Sequence, residues 1–162
     1  MNVQVKLPSK DELLGACAGA ISLTSHPVLG AARELAALHT AHRAIDEGEC
    51  GENRYARLCL VSEIDRWVSR HTTPPSSAAY LHTESVGMVV DRFARYFLEA
   101  HTALDDAGAS ELHRRFLWQR LAQLAVAYTD LSAEIGAGRR ELPIVTYKVG
   151  QHYSDDRAGG GG

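Results

Sequence analysis

Apolar side chains recur along the chain at alternating steps of three and four residues, which is the period of an amphipathic helix. The clearest stripe predicts a helix over residues 83–105 and comprises Val86, Val89, Val90, Phe93, Phe97 and Leu104. A second long stripe predicts a helix over residues 110–136 and comprises Leu117, Leu121, Leu124, Tyr128, Leu131 and Ile135. Similar stripes predict helices over residues 27–46 and 53–70, and a capping box at Ser9 predicts a first helix over residues 9–22. Five helices without a hairpin turn predict an all-α fold, an antiparallel bundle of four to five helices.

The chain changes character after Pro143. The next residues favour extended structure and are too few for a helix, so we predict at most a short strand near residues 144–149. The last eight residues are charged and rich in glycine, so we expect disorder there. We therefore divide the chain into a helical bundle domain over residues 1–143, an extended arm over residues 144–154 and a disordered tail over residues 155–162.

Composition and charge exclude several classes of protein. The 162 residues carry 17 Lys and Arg against 20 Asp and Glu, which leaves no wide basic surface for nucleic acid. The three cysteines form no C-x-x-C pair, so neither a disulfide framework nor a four-cysteine zinc site is indicated. The first residues lack the pattern of a signal peptide, and no apolar stretch approaches the ~20 residues that span a bilayer. We expect a cytoplasmic protein that binds neither nucleic acid nor membrane.

Three histidines are the first candidates for chemistry. His39 and His42 fall on the apolar stripe of the second helix, and His101 lies at the edge of the stripe of the fourth. Converging imidazoles can bind a metal or shuttle protons. No carboxylate shares their faces at ligand spacing, which favours hydrogen-bonded histidines at or beside the core. We therefore predict no cofactor, with a divalent cation as the alternative.

The second candidate is the polar segment that opens the fourth helix, where His82 and Glu84 precede Asp91 and Arg92. Glu84 and Asp91 are seven residues apart, which places them two turns apart on one side of a helix. That side is nearly opposite the apolar stripe, so periodicity alone predicts a solvated charged face.

The segment His-Thr-Glu-Ser-x-Gly-x-x-x-Asp-Arg, residues 82–92, resembles the signature of an uncharacterised bacterial helical family, domain of unknown function 4254. The resemblance includes Ile-Asp-Arg-Trp at residues 64–67, Gly-Arg-Arg at residues 138–140 and the tail at residues 147–155. Members of the family often have a Trp with acidic residues where this chain has residues 38–42, and an Asn-x-x-Arg-Asn-Asp stretch where it has residues 55–61. The resemblance implies no established activity, only a loose association with cell-surface polysaccharide genes.

The resemblance draws attention to Gly87, which lies on the polar side of the helix one turn from each carboxylate. Glycine inside a helix costs ~1 kcal/mol relative to alanine, and it permits close approach by another backbone or a ligand. We therefore expect the face to be covered by the arm or by a neighbouring subunit. In the arm, Tyr147 and Lys148 can donate hydrogen bonds or charge to Glu84 and Asp91.

Two classes of function remain open. The first is a helical interaction module, homodimeric or bound to another protein, whose polar face is covered by the arm or the partner. The second is a small-ligand-binding protein or an enzyme that acts on a phosphorylated, sugar-type substrate. In the second, Glu84 and Asp91 hold a divalent cation while His82 or Arg92 meets the phosphate.

Overall fold

The computed structural model describes residues 6–20, 26–44 and 50–143, and 73% of these residues are helical. The helices are α1 (Lys10–Cys17), α2 (Pro27–Ala44), α3 (Cys50–His71), α4 (Val86–Asp105) and α5 (Glu111–Gly136). Two short strands, β1 (Tyr80–Leu81) and β2 (Arg140–Glu141), pair in parallel. The predicted all-α class is confirmed. The predicted arm and tail lie outside the described residues.

Local capping explains where α1 and α5 begin. The Ser9 hydroxyl accepts the backbone N–H of Glu12, and the Glu12 carboxylate accepts the backbone N–H of Ser9, which is the predicted capping box. Ser110 caps α5 by accepting the backbone N–H of His113. α1 ends at Cys17, earlier than predicted, because Gly19 follows with a φ of +70°, a left-handed conformation that terminates helices.

The core lies around α4, which packs against each of the other four helices. Its apolar stripe is buried as predicted from Val86 to Phe97, whereas Leu104 at the end of the helix is exposed. The ring of Phe93 meets Tyr128 of α5 edge to face with centroids 6.3 Å apart. The Tyr128 hydroxyl donates to the carbonyl oxygen of Pro8 at 2.8 Å, which ties the segment before α1 to the core. Two predicted core residues, Trp67 and Leu124, are only partly buried.

Hydrogen bonds and close contacts locate α4 relative to α5 and to α3. Arg114, near the start of α5, donates to the carbonyl oxygen of Ala103, near the end of α4. In the same way, α4 begins against the middle of α3 at Gly87 and reaches Arg57, closer to the start of α3, four residues later.

The strands correct one prediction. We expected extended structure only near residues 144–149, which lie outside the described residues. The structure instead pairs the loop after α3 with the chain after α5, through hydrogen bonds from Tyr80 N to Arg139 O and from His82 N to Glu141 O. No local pattern announces such a pairing, because some sixty residues separate its two halves. No helix in the described ranges is both long and apolar enough to cross a membrane.

Candidate functional site

Asp91 is the centre of a polar cluster that joins three helices. His39 of α2 donates from Nε2 to Asp91 Oδ1 at 2.8 Å, because an ionised carboxylate can only accept. Arg57 of α3 donates from Nε to Oδ1 at 3.1 Å and from a terminal nitrogen to Oδ2 at 2.6 Å. The side chain of His39 is 6% exposed and that of Asp91 is 17% exposed. The cluster is therefore a covered, bidentate ion pair with a histidine attached.

The electrostatics of this cluster favour the charged carboxylate. Burial by itself raises the pKa of Asp91, but the hydrogen bonds from His39 and Arg57 and the charge of Arg57 outweigh burial and lower that pKa to about 2. Asp91 is thus ionised at neutral pH. Both of its oxygens are occupied by donors.

Glu84 lies in a different setting. α4 begins at Val86, not near residue 83, so Glu84 precedes the helix and does not share a helical face with Asp91. This part of the prediction is wrong. The carboxylate of Glu84 instead accepts two hydrogen bonds from Arg92, at 3.1 and 2.5 Å, and its side chain is 25% exposed. Glu84 and Arg92 therefore satisfy each other.

His82 is directed at the backbone of the same turn. Its Nδ1 lies 2.8 Å from the carbonyl oxygen of Glu84 and 3.2 Å from its amide nitrogen. The ring therefore stabilises the turn that leads into α4. It is not hydrogen-bonded to the carboxylate of Glu84. The predicted grouping of His82, Glu84, Asp91 and Arg92 thus divides into two separately satisfied ion pairs and one structural histidine.

Gly87 marks the closest approach of α3 and α4. A Cβ atom at this position would lie 2.3 Å from the carbonyl oxygen of Val61 and 2.9 Å from Asp65 Oδ1. Asp65 Oδ1 also accepts the backbone N–H of Gly87 at 2.7 Å, while Ser85 accepts that of Met88. The prediction of close backbone approach is correct, and at Gly87 the backbone that approaches is that of α3. Coverage of the face by the arm or by a neighbouring subunit stays a prediction. Tyr147 and Lys148 lie outside the described residues.

The three histidines are not brought together. His39 binds Asp91, His42 is exposed near the end of α2, and His101 places Nδ1 2.9 Å from the carbonyl oxygen of Phe97. The His101 ring stacks on that of Phe97, with centroids 3.9 Å apart, and also contacts Trp118. In the described part of the chain, no group of three or more His, Cys, Asp or Glu residues is arranged to hold a metal ion. His39, His42 and His101 therefore do not form the alternative metal site.

A cleft of about 190 Å³ opens beside the Asp91 cluster. Arg54 and Arg57 supply its cationic groups, His42 adds an imidazole, and Asp91 is the carboxylate among its described lining residues. Asn53 also lines the cleft and is fixed by a hydrogen bond from its Nδ2 to the carbonyl oxygen of Leu38. The cleft therefore contains more positive than negative groups.

A larger cavity of about 560 Å³ lies between α3 and the chain that follows α5. Asp65, Arg140 and Pro143 are among the residues that line it. Asp65 Oδ2 is buried and has no hydrogen-bond partner among the described residues. Burial raises the pKa of Asp65, an effect that hydrogen bonds from Ser85 and Gly87 only partly offset.

Sequence reasoning missed the role of Arg57 and the partner of His39. Arg57 enters the sequence analysis only within residues 55–61, where the chain departs from the family pattern, and His39 enters as a candidate metal ligand or core histidine without a named partner. The available signal was a polar residue on an otherwise apolar face: His39 falls beside Leu35, and Arg57 precedes Val61 by one turn. A charged group at such a position needs a partner from another helix, and Asp91 of α4 provides it.

These features define an all-α protein in which three helices share a buried polar cluster. The chain belongs to the family described as "Protein of unknown function (DUF4254)", whose model matches residues 34–144. The resemblance noted from residues 82–92 is therefore confirmed, although the tail at residues 147–155 lies beyond the matched range. No curated protein and no solved structure matches the chain.

Proposed function

We propose that this protein is a helical interaction module that forms a homodimer through the outer face of α5. The observation that carries the proposal is that large apolar side chains are exposed along that helix. Leu112 is 77% exposed, Phe116 is 53% exposed and Val126 is 59% exposed. Exposed apolar residues that cluster, as opposed to single ones, commonly mark protein interaction sites.

The residues involved form one continuous stripe along α5. An α-helix turns by 100° per residue, and the residues in question lie within about 60° of the line along α5 that faces solvent. We call this set the α5 stripe, and it consists of Leu112, Arg115, Phe116, Gln119, Gln123, Val126 and Asp130. The stripe spans about 27 Å of helix, and all seven residues are exposed. It carries one basic residue near one end and one acidic residue at the other. That charge distribution suits pairing with a reversed copy of itself.

An antiparallel arrangement of two α5 helices uses this symmetry. With the twofold axis at the level of Leu121, Phe116 of one copy lies opposite Val126 of the other, and Gln119 lies opposite Gln123. Asp130 of the second copy then lies opposite Leu112, and Arg115 is offset from it by three residues, about 4.5 Å along the helix, within reach of an arginine side chain. Self-complementary pairing of this kind is what a twofold homodimer requires. The same face offers no comparable charge match to a parallel copy, because like charges would then lie side by side.

The grounds for a dimer thus differ from those available in the sequence alone. Gly87 does not need a second subunit to explain it, because α3 already covers that position. Coverage of the remaining exposed part of Glu84 by residues 144–154 stays a prediction. The α5 stripe supports self-association independently of that arm.

The second candidate, a cation-dependent enzyme or ligand-binding protein, finds less support in the geometry. A divalent cation needs carboxylate oxygens as ligands. Glu84 and Asp91 are each engaged by an arginine through two hydrogen bonds, and displacing either arginine would leave a partly buried guanidinium without its partner. We therefore expect Mg²⁺ and Mn²⁺ to leave the melting temperature unchanged.

The proposal is tested by the mass of the protein in solution. Light scattering after size exclusion should give a dimer for the wild type, and Phe116→Glu should give a monomer of unchanged helix content by circular dichroism. Leu81→Glu is the matched control, because Leu81 is 64% exposed and lies outside the stripe, in β1. A wild-type monomer at all accessible concentrations, or equal loss of the dimer in both variants, contradicts the proposal.

A further inference from the structure

We infer that the cleft beside Asp91 binds a phosphate group, either as free phosphate or as a phosphate monoester. The inference is independent of the proposed dimer, because the cleft is lined by residues of α2, α3 and α4 and not by α5. It also differs from the cation-binding alternative, since the ligand here is an anion and the residues that receive it are Arg54, Arg57 and His42.

The arginines leave hydrogen-bond donors available to a ligand. Arg57 uses Nε and one terminal nitrogen for Asp91. A guanidinium has five N–H donors, so three remain, including both on the other terminal nitrogen. Arg54 lines the same cleft, is exposed, and makes no ion pair in the part of the chain that the structure describes. Among the described residues that line the cleft there are thus two guanidinium groups and one carboxylate.

Asp91 cancels the charge of Arg57 but not that of Arg54. Its carboxylate is held by Arg57 and His39, which between them occupy both of its oxygens. The pair of Asp91 and Arg57 is close to neutral, which leaves Arg54 and any charge on His42 uncompensated at the opening. Because Arg57 donates two hydrogen bonds to Asp91, its guanidinium is held in place before a ligand binds. A preorganised donor costs less entropy on binding than a mobile surface lysine would.

The size and shape of the cleft limit the ligand. Its volume of about 190 Å³ is below the roughly 300–1,000 Å³ of pockets that enclose a whole drug-sized ligand. It is therefore suited to one anionic group, with any attached moiety lying outside. The two guanidiniums come from α3 and the imidazole of His42 comes from α2, so the lining donors lie on two helices. That arrangement suits a tetrahedral phosphate better than a planar carboxylate, which a single arginine can satisfy.

Thermal shift and calorimetric titration of the full-length protein test this inference. Sodium phosphate should raise the melting temperature saturably, and sodium chloride at equal ionic strength should not. Glycerol phosphate should behave like phosphate if monoesters are accepted, whereas acetate should produce less than a third of the shift. Sodium acetate matching phosphate would overturn the assignment of the anion class.

Variants localise the effect without disturbing the Asp91 ion pair. Arg54→Gln should weaken phosphate binding about tenfold, the usual consequence of losing a charge-assisted hydrogen bond. Arg33→Gln removes a positive charge from an exposed position on α2 and should leave phosphate affinity within about twofold. Equal weakening in both variants would indicate non-specific charge attraction and overturn the inference. Absence of a phosphate-specific shift in the wild type would also overturn it.

Discussion

Two sides of this molecule depart from the usual division of apolar inside and polar outside, and they do so in opposite directions. On α4, the side opposite the apolar stripe carries Gly87 and Asp91, yet α2 and α3 cover it. On α5, the side opposite the core carries Leu112, Phe116 and Val126, yet these side chains are exposed. Periodicity predicts a wet charged face for the first helix and an ordinary outer face for the second. The structure contradicts the first of these expectations and makes the second chemically unusual.

The difference shows what each helix must still satisfy. On the polar side of α4, Asp91 and Arg92 are satisfied within one chain, because each has a partner at hydrogen-bond distance. The outer side of α5 is incomplete, because apolar surface in water retains a free-energy incentive to be buried. Packing within the monomer therefore explains α4, and association between monomers is our explanation for α5.

The largest expected effect is on the free energy of unfolding, and it distinguishes a buried ring on α4 from an exposed ring on α5. Phe93→Ala should lower the free energy of unfolding by about 3–5 kcal/mol, because the ring is fully buried against Tyr128. Phe116→Ala is its matched control and should lower it by less than about 0.5 kcal/mol in dilute monomer. Urea titrations of both variants measure the contrast. Equal costs would show that the ring of Phe116 is buried in the monomer.

The next effect tests the close contact of α3 and α4. Gly87→Ala should cost about 3 kcal/mol, because the new methyl group meets the backbone carbonyl of Val61, which cannot rotate away. Gly30→Ala is the matched control, since Gly30 also lies in a helix but has no atom within 4 Å of the added Cβ. It should be neutral or stabilise the protein by about 0.5–1 kcal/mol. Similar melting temperatures for the two variants would mean that the helices are not in contact at Gly87.

A smaller effect reports the charge on Asp91. Its pKa in the folded protein, about 2, is below the ordinary value of 3.8, so the ionised form stabilises the fold. The linked stability of about 2 kcal/mol is fully present above about pH 4 and is lost as the pH falls toward 2. Asp91→Asn should remove this stability at neutral pH and flatten the acid dependence of unfolding over that range.

Asp105→Asn provides the control for this titration, because Asp105 is an exposed carboxylate at the end of the same helix. Its unfolding should follow the wild-type pH dependence. If Asp91→Asn retains the wild-type acid transition, the ion pair with Arg57 does not stabilise the fold.

The smallest effect on folding belongs to the α5 stripe. Val126→Ser should change the free energy of unfolding by no more than about 0.5 kcal/mol in dilute solution, because the side chain is already exposed. At high concentration, the wild type should gain a concentration-dependent melting temperature that Val126→Ser loses. A melting temperature of the wild type that is independent of concentration would remove the reason for a dimer.

Much of the fold is predictable from local sequence, and α5 shows why. Ser110 supplies a cap and the apolar period continues without interruption to Gly136, so the predicted and observed bounds differ by one residue. The start of α4 is harder to place, because His82, Thr83, Glu84 and Ser85 all precede the apolar stripe. Asp65 of α3 takes the Gly87 N–H, so the choice of Ser85 as the cap depends partly on another helix.

The polar cluster is less predictable for a related reason. His39, Arg57 and Asp91 come from three helices, and no spacing in the sequence links them. Each residue can be singled out by itself in the sequence. His39 and Arg57 are polar residues on apolar faces, and Asp91 lies on the side of α4 that carries Gly87. Their combination depends on the packing of α2, α3 and α4, which is a property of the tertiary structure. The apolar residues outside the core-facing side of α5 are visible in the sequence. In α5 the apolar residues are spread around the helix, whereas in α4 they lie mainly on one side.

Charge reversal is the sharpest test of the antiparallel pairing of two α5 helices. Sedimentation velocity should be measured for the wild type, Arg115→Asp, Asp130→Arg and the double variant at one concentration. We predict that the wild type sediments as a dimer. Each single variant should associate more weakly, because like charges then meet across the twofold axis, and the double variant should recover the dimer. Sedimentation of all four proteins as identical species, or failure of the double variant to recover, would contradict the antiparallel dimer.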